Sequence, residues 1–390
     1  MKRICNEITA KYAVVQAAYW MGSCIISSYA GVYLLGEGFT NTEIGLLIGL
    51  VGAVSTVMQP WVGGIVDRSE RITLRSVSWW FGVLMALLSA VLILFGNKIV
   101  VVIVYSVLRT LLQVALPLVS AMGMESINRG NKLNFGLARG MGSIAYAVLT
   151  SITGFATAVF SSHVLTYEML ITCILFVVGI QLFPREQDLS HEPEAMQEVA
   201  APGKAFFGRY PKFFFLLVGW TLVFTSYGLI NNFLFQIMES KGGDSSSMGI
   251  ALAISALSEV PTMFLFVELV GRLKSGVWMK LSSVFFMLKV LGILVFSSIV
   301  GIYVVHALQM LGYALFAVAS VYYVNCLMED RDKVTGQAYM TMTTTMGAVI
   351  GSTVGGVIID VWGIEMMLIF ATVIAVVGMV IVFPTTEKNI

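Results

Sequence analysis

Twelve long apolar runs, separated by short polar joints, limit what this chain can fold into. No water inside a bilayer satisfies stray backbone groups, so a crossing segment closes its own hydrogen bonds in a helix of roughly 20 apolar residues. The runs occupy 10–35, 44–66, 73–95, 99–126, 135–160, 164–183, 212–238, 248–270, 277–298, 300–327, 338–359 and 364–383. Most joints carry turn or charge signals, such as Gly96-Asn97-Lys98 and Lys241-Gly242-Gly243-Asp244. The one long polar break, 184–211, divides the chain into an N-terminal six-helix bundle (1–183) and a C-terminal one (212–390). The predicted fold is all-α, with twelve transmembrane helices in two pseudo-symmetric bundles.

Composition agrees. Hydrophobic residues make up 58% of the chain and charged residues 12%, about half the charge of a soluble domain. A mean hydropathy of +0.88 makes lipid the main solvent. Acidic and basic totals, 22 and 23, nearly cancel, so bulk charge points to no nucleic-acid partner. Met1-Lys2-Arg3 resembles the basic start of a signal peptide, but the apolar run behind it is too long and has no clear cleavage site, which predicts a retained first helix. The four cysteines show neither disulfide nor metal-ligand spacing.

The basic residues set the predicted orientation. With the N-terminus inside, eighteen of the 23 fall on the cytoplasmic side; Lys98 and Lys241 lie outside, and Arg109, Arg139 and Lys289 within runs. The positive-inside rule then places both termini in the cytoplasm of a multi-pass cell (plasma or inner) membrane protein.

The halves repeat weakly but in register. Pro60 and Asp67 recur as Pro261 and Glu268, shifted by 201; Gly136-x-Ala138 recurs as Gly336-x-Ala338, shifted by 200; Ser151-x-x-Gly154 recurs as Ser352-x-x-Gly355, shifted by 201. Repeated bundles suggest a midplane site opened alternately to each side. Gly45-x-x-x-Gly49, Gly136-x-x-x-Gly140 and Gly347-x-x-x-Gly351-x-x-x-Gly355 predict close helix approaches.

Arg109, Glu125, Arg139, Glu259 and Lys289 lie within or at the edge of apolar runs, and His306 joins them. Each charge at the bilayer centre costs about 2.5–3.5 kcal/mol on insertion scales, so partners or a water-filled cavity are implied. Tyr146, Thr150 and Thr153 share a helical face with Arg139. A guanidinium with an aromatic one level away suits a polyol, through bidentate hydrogen bonds and a ring against the sugar's apolar face. Tyr12, Gln16, Tyr19 and Ser23 form a second polar-aromatic stripe; Tyr227 and Asn231 stack one turn apart; His306, Gln309 and Tyr313 share a face. Each stripe alone is compatible with plain inter-helix hydrogen bonding, whereas the four together favour a wet cavity. Glu259 is the candidate for proton exchange, because burial disfavours its charged form and a nearby cation favours it. Lys289 and Arg139 are possible partners, and a permanent Glu259–Lys289 pair is the simpler alternative. Arg109, about ten residues into the fourth run, is an intramembrane charge of no assigned role.

Gly64-Ile65-Val66-Asp67-Arg68 resembles the cytoplasmic G-x-x-x-D-R/K signature of the major facilitator superfamily, which implies a gating role for Gly64, Asp67 and Arg68. Met124-Glu125-Ser126 leading to Phe135-Gly136-Leu137-Ala138-Arg139-Gly140-Met141-Gly142 is similar to the oligosaccharide:proton symporter (lactose permease-like) family. That resemblance implies a substrate site of Glu125, Arg139, Tyr146 and Glu259, with Tyr146 where the family has a stacking tryptophan. Tyr19, Tyr227 and Asn231 are further candidate contacts. The fold implies a monomer, and the proton-coupling candidates are Glu259, assisted by Lys289 and His306; with the family's coupling glutamate replaced, Glu259, Glu125 or no proton at all serves. The family's coupling histidine and glutamate correspond here to Gln309 and Gly312, with His306 one turn earlier. Its acids of the seventh run correspond to Gly228 and Asn231, and a lysine of the eleventh to a residue of the Thr343–Thr345 run.

The functional expectation is a secondary active transporter, a proton-coupled sugar (oligosaccharide or galactoside-like) symporter working by alternating access. Its partners are a small solute, a proton and the lipid bilayer. The alternative is a transporter of an organic anion, aromatic acid or drug on the same fold. An intramembrane enzyme is disfavoured: H-E-x-x-H and any arguable Ser/His/Asp set are lacking, as is the Gly-x-x-x-x-Gly-Lys-Ser/Thr phosphate loop. No cofactor or metal is expected.

Overall fold

A computed structural model describes residues 6–67, 69, 72–184, 204–269 and 274–387, and among them every regular element is helical. The first span joins α1 (Glu7–Ser23), a π turn (Cys24–Ser28) and α2 (Ala30–Gly36). Then follow α3 (Asn41–Asp67), α4 (Leu74–Leu94), α5 (Lys98–Asn128), α6 (Phe135–Val159) and α7 (Val164–Leu182). A short α8 (Lys204–Arg209) leads into α9 (Pro211–Asn232) and α10 (Leu234–Ser240), which form one span. After α11 (Ser245–Leu269) and α12 (Ser275–Val295), a further span is built from α13 (Ile299–Ala307), a 3-10 turn (Leu308–Met310) and α14 (Tyr313–Leu327). The last element, α15 (Asp330–Thr385), is two spans joined at Gly363, whose φ of 84° interrupts the helical backbone. Glycine, lacking Cβ, takes that left-handed φ without strain. Among the described residues these elements make twelve spans, in the order the apolar runs predict.

Polar residues at the run edges start these helices. Asn6 accepts from the Thr9 amide at 3.0 Å, Asn97 from Ile99 at 2.9 Å and Asn134 from Leu137 at 3.0 Å. Thr73 and Ser76 cap each other's amides before α4. Each bond satisfies an amide that the first helical turn leaves open. Large apolar side chains such as Leu50, Trp61, Leu94, Phe155 and Trp362 point outward. On membrane-spanning helices these faces are solvated by acyl chains.

The helices form two compact units. Residues Met1–Phe39 and Leu50–Ala195 make the first; Thr40–Gly49 and Met196–Ile390 make the second. In the first unit α1 packs on α6 and α7, and α4 on α5 and α7. In the second, α9 lies along α15, and α12 packs on α14 and α15. The second unit's core holds Trp220, Phe224, Phe286 and Phe316, with Trp220 and Phe316 ring centroids 4.3 Å apart.

Thr40–Gly49, before the central break in sequence, groups with the second unit. Asp360 accepts from the Thr42 amide at 2.7 Å and from Asn41 Nδ2 at 2.9 Å, and Gln236 Nε2 donates to Asn41 Oδ1 at 2.9 Å. A Cβ on Gly45 would lie 2.2 Å from the Ser352 carbonyl oxygen. The Gly45-x-x-x-Gly49 spacing thus serves contact with α15.

Candidate functional site

Two side-chain clusters hold three of the embedded charges, Glu259 and Lys289 in the second unit and Arg139 in the first. In the second unit the span of α13 and α14 opens at the 3-10 turn, which carries Gln309 inward. A tighter turn inside a helix re-aims side chains and often marks a functional hinge. Ser282 Oγ donates to the Gly312 carbonyl at 2.8 Å and holds this break against α12.

Gln309 is the centre of the cluster. It is 3% exposed, and its Oε1 accepts from Lys289 Nζ at 2.6 Å. Its Nε2 donates to Tyr227 Oη at 2.7 Å and to Glu259 Oε1 at 2.9 Å. Tyr227 stacks on Tyr313 with ring centroids 5.8 Å apart and planes 9° from parallel. The Lys289 ammonium lies 5.2 Å from the Tyr227 ring centroid. Asn231, one turn along α9, interacts with the Tyr227 hydroxyl.

His306 is 1% exposed. Its Nδ1 lies 2.9 Å from the Ile302 carbonyl. A carbonyl only accepts, so Nδ1 carries a proton, and in the neutral form of the ring Nε2 is an acceptor. That Nε2 has no partner among the described residues.

In the first unit Arg139 lies over Trp20, its guanidinium carbon 3.8 Å from the ring centroid, and Nη1 donates to Ser143 Oγ at 3.0 Å. Trp20 Nε1 donates to Gln16 Oε1 at 3.2 Å, Gln16 Nε2 to Tyr12 Oη at 2.8 Å, and Tyr12 Oη to the Val119 carbonyl at 2.8 Å. Each acceptor orients the next donor, so the chain fixes the indole plane beneath the cation. Tyr19 Oη donates to the Leu112 carbonyl at 3.2 Å, and its ring meets Trp20 edge-on. Tyr146 shares a hydrogen bond with Ser28 at 2.7 Å.

Glu125 is bonded to Arg129, one turn later on α5, with Nε 3.0 Å from Oε1. Arg109 is buried in α5. Gly64 has open space around its Cα, whereas the Asp67 side chain and Arg68 lie outside the described residues.

The structure therefore brings Glu259, Lys289, Tyr227 and Asn231 together around Gln309, and Arg139 together with Trp20. Trp20 and the bridging role of Gln309 escaped the sequence reading. An indole N–H four residues after Gln16 inside an apolar run was the available signal. Glu168, in α7, also escaped it; its Oε2 accepts from Thr153 Oγ1 at 2.7 Å.

The profile of the MFS_1 like family matches residues 13–372. The chain belongs to that family. It is a major facilitator superfamily transporter, then, and not an enzyme. A maltose permease of Geobacillus stearothermophilus is 22% identical over 363 residues, covering 92% of this chain and 89% of that protein. Among solved structures, the nucleoside transporter NupG is similar with a TM-score of 0.78 at 14% identity, covering 97% of this chain and 98% of that one. An auto-inhibited POT family peptide transporter follows at 0.73 and 11% identity, covering 96% of both chains. At such identities these two show a shared facilitator fold.

Proposed function

We propose that the chain is a proton-coupled sugar symporter of the cell membrane, with both termini cytoplasmic, importing an oligosaccharide or galactoside-like glycoside by alternating access. One observation carries the reading: an acid and a base embedded in lipid-spanning helices are joined through one neutral amide, beside two stacked tyrosines. Hydroxyl groups of a sugar can replace either bond of Gln309, and a tyrosine face can cover the sugar's apolar side. The likeness to a maltose permease adds support.

In this reading Glu259 exchanges the proton. When protonated it no longer attracts Lys289, so loading the proton loosens the Lys289–Gln309–Glu259 chain and frees donors for the solute. His306 Nε2 is a further acceptor in the same unit. Arg139, seated over the Trp20 ring, would offer N–H groups to sugar hydroxyls.

Reconstituted vesicles test this. Adding maltose or a galactoside should alkalinise the outer medium as protons enter with sugar. Arg139→Ala should abolish accumulation. Glu259→Gln should keep sugar exchange at equal concentrations but lose uphill accumulation. Sugar uptake without any pH change removes proton coupling, and full uptake by Arg139→Ala removes the assigned sugar contact.

A second reading, transport of an organic anion, aromatic acid or drug, is favoured by Arg109, a buried cation with no ion pair among the described residues. Comparing binding of neutral sugars with organic acids separates the two readings.

A further inference from the structure

The π turn Cys24–Ser28 breaks the first span between α1 and α2. Such insertions recur at functional sites because they upset the regular pairing of backbone groups. The Ile26 carbonyl within it accepts from Tyr105 Oη, which reaches across from α5. Arg109 lies one turn beyond Tyr105 on the same helix and interacts with that hydroxyl. It is only 4% exposed, and its Nε and Nη1 find no hydrogen-bond partner among the described residues. Tyr33, whose ring centroid is 5.5 Å from that of Tyr105, has a buried hydroxyl in the same condition.

The described acids of this unit are engaged elsewhere. Glu7 pairs with Lys11 at 2.6 Å, Glu37 with His163 at 3.5 Å and Glu125 with Arg129, while Glu168 accepts from Thr153. The Asp67 side chain is outside the described residues. What remains open around Arg109 is a set of N–H donors on a group that never loses its charge. Burying a charge without a counter-charge is strongly destabilising. A neutral carbonyl would satisfy a donor but leave the charge uncompensated.

We propose that Arg109 is a binding site for a small monovalent anion, a carboxylate or a halide, held beside the π turn by one of its two unpartnered N–H groups, on Nε or on Nη1. The site does not depend on the solute being a sugar. Its occupant is either a resident inorganic ion or the carboxylate of a carried solute, and the chemistry is shared.

The test uses purified full-length protein in detergent, melted in sodium methanesulfonate, chloride or formate at one ionic strength. Chloride or formate should raise the melting midpoint saturably in the wild type. The same rise is expected in Lys132→Gln, which removes an exposed cation. It should be lost in Arg109→Gln, and Arg109→Lys should shift half-saturation to higher anion concentration. Equal effects of chloride and formate identify a site for any small anion; an effect of formate alone identifies a carboxylate site. A wild-type midpoint indifferent to the anion overturns the proposal, as does saturation that survives Arg109→Gln. If Arg109→Gln does not fold, an unchanged half-saturation in Arg109→Lys overturns it equally.

Discussion

Gln309 stands between Lys289 and Glu259, its oxygen 2.6 Å from the ammonium and its nitrogen 2.9 Å from the carboxylate. An amide suits this place because one end accepts while the other donates. Leucine in its place would remove one hydrogen bond from each of Lys289, Glu259 and Tyr227. Leaving a buried polar group unsatisfied costs about 1–3 kcal/mol, and more for charged groups. Gln309→Leu should therefore lower the thermal midpoint of purified protein well beyond the loss from an exposed substitution. An unchanged midpoint would mean that the bridge contributes nothing to stability.

Trp20 and Arg139 make the second prediction. The guanidinium lies 3.8 Å from the ring centroid, and the indole N–H is itself held by Gln16. A desolvated cation–π contact contributes about 0.5–2 kcal/mol. Trp20→Leu should lose this contact, whereas Trp20→Phe should keep part of it. Chemical denaturation should rank the proteins wild type, Phe, Leu. If Arg139 serves the solute, the half-saturating solute concentration should rise in the same order. Equal stability of the Leu and Phe variants would dismiss the ring's role.

Much of this architecture was legible in the sequence, since lipid removes alternatives. Twelve apolar runs had to become helices, and Asn97, Asn134 and Thr73 mark starts in plain view. The candidate site was legible only in part. Helical periodicity put His306, Gln309 and Tyr313 on one face, yet Gln309 does its bridging from a 3-10 turn that no periodicity reveals. Glu125, a candidate solute contact, pairs in the structure with Arg129, four residues away. Local pairs of that kind form whatever the tertiary fold. Trp20 is not legible in the same way, because an indole in an apolar run reads as packing until a cation is found on its face. The grouping of Thr40–Gly49 with the second unit depends on Asp360, more than 300 residues distant, and no local pattern encodes such a contact.

Asp244 yields a prediction with a sign in pH. It lies in the loop before α11, where its Oδ1 accepts from the Ser247 amide at 2.8 Å and from Ser247 Oγ at 2.9 Å. The Ser247 amide, first among the causes, holds the Asp244 carboxyl below its usual value. A depressed carboxyl stabilises the fold above the unfolded-state value, near 4, and that contribution fades as pH falls through the folded value. Replacing a helix cap by alanine costs about 0.5–2 kcal/mol. Asp244→Ala should therefore melt earlier than wild type at pH 7, and the gap should narrow below about pH 4. A gap that is constant across that range would show that the charged form of the cap is not what matters.

Two glycine spacings that look alike in sequence should respond oppositely to alanine. A Cβ on Gly347 would lie 2.5 Å from Phe224 Cβ, 2.6 Å from the Phe224 carbonyl carbon and 2.7 Å from the Thr225 nitrogen. Two of these atoms are backbone of α9, which cannot yield as the end of a flexible side chain can. Real Cβ atoms keep beyond 3.0 Å of such neighbours, so α9 and α15 must separate along their shared length. Gly351 repeats the constraint, with the Thr225 carbonyl oxygen at 2.6 Å. Gly136, by contrast, would bring its Cβ only to 3.8 Å from Asn134 Oδ1. There alanine meets no obstacle and favours the helix by about 1 kcal/mol over glycine. Gly347→Ala should cost about 1–3 kcal/mol as overpacking does, while Gly136→Ala should be neutral or stabilising. Size-exclusion profiles and melting of both variants decide the matter. Equal tolerance at the two positions would mean that the helices at Gly347 have room to part, and that the spacing in α15 is not a packing device.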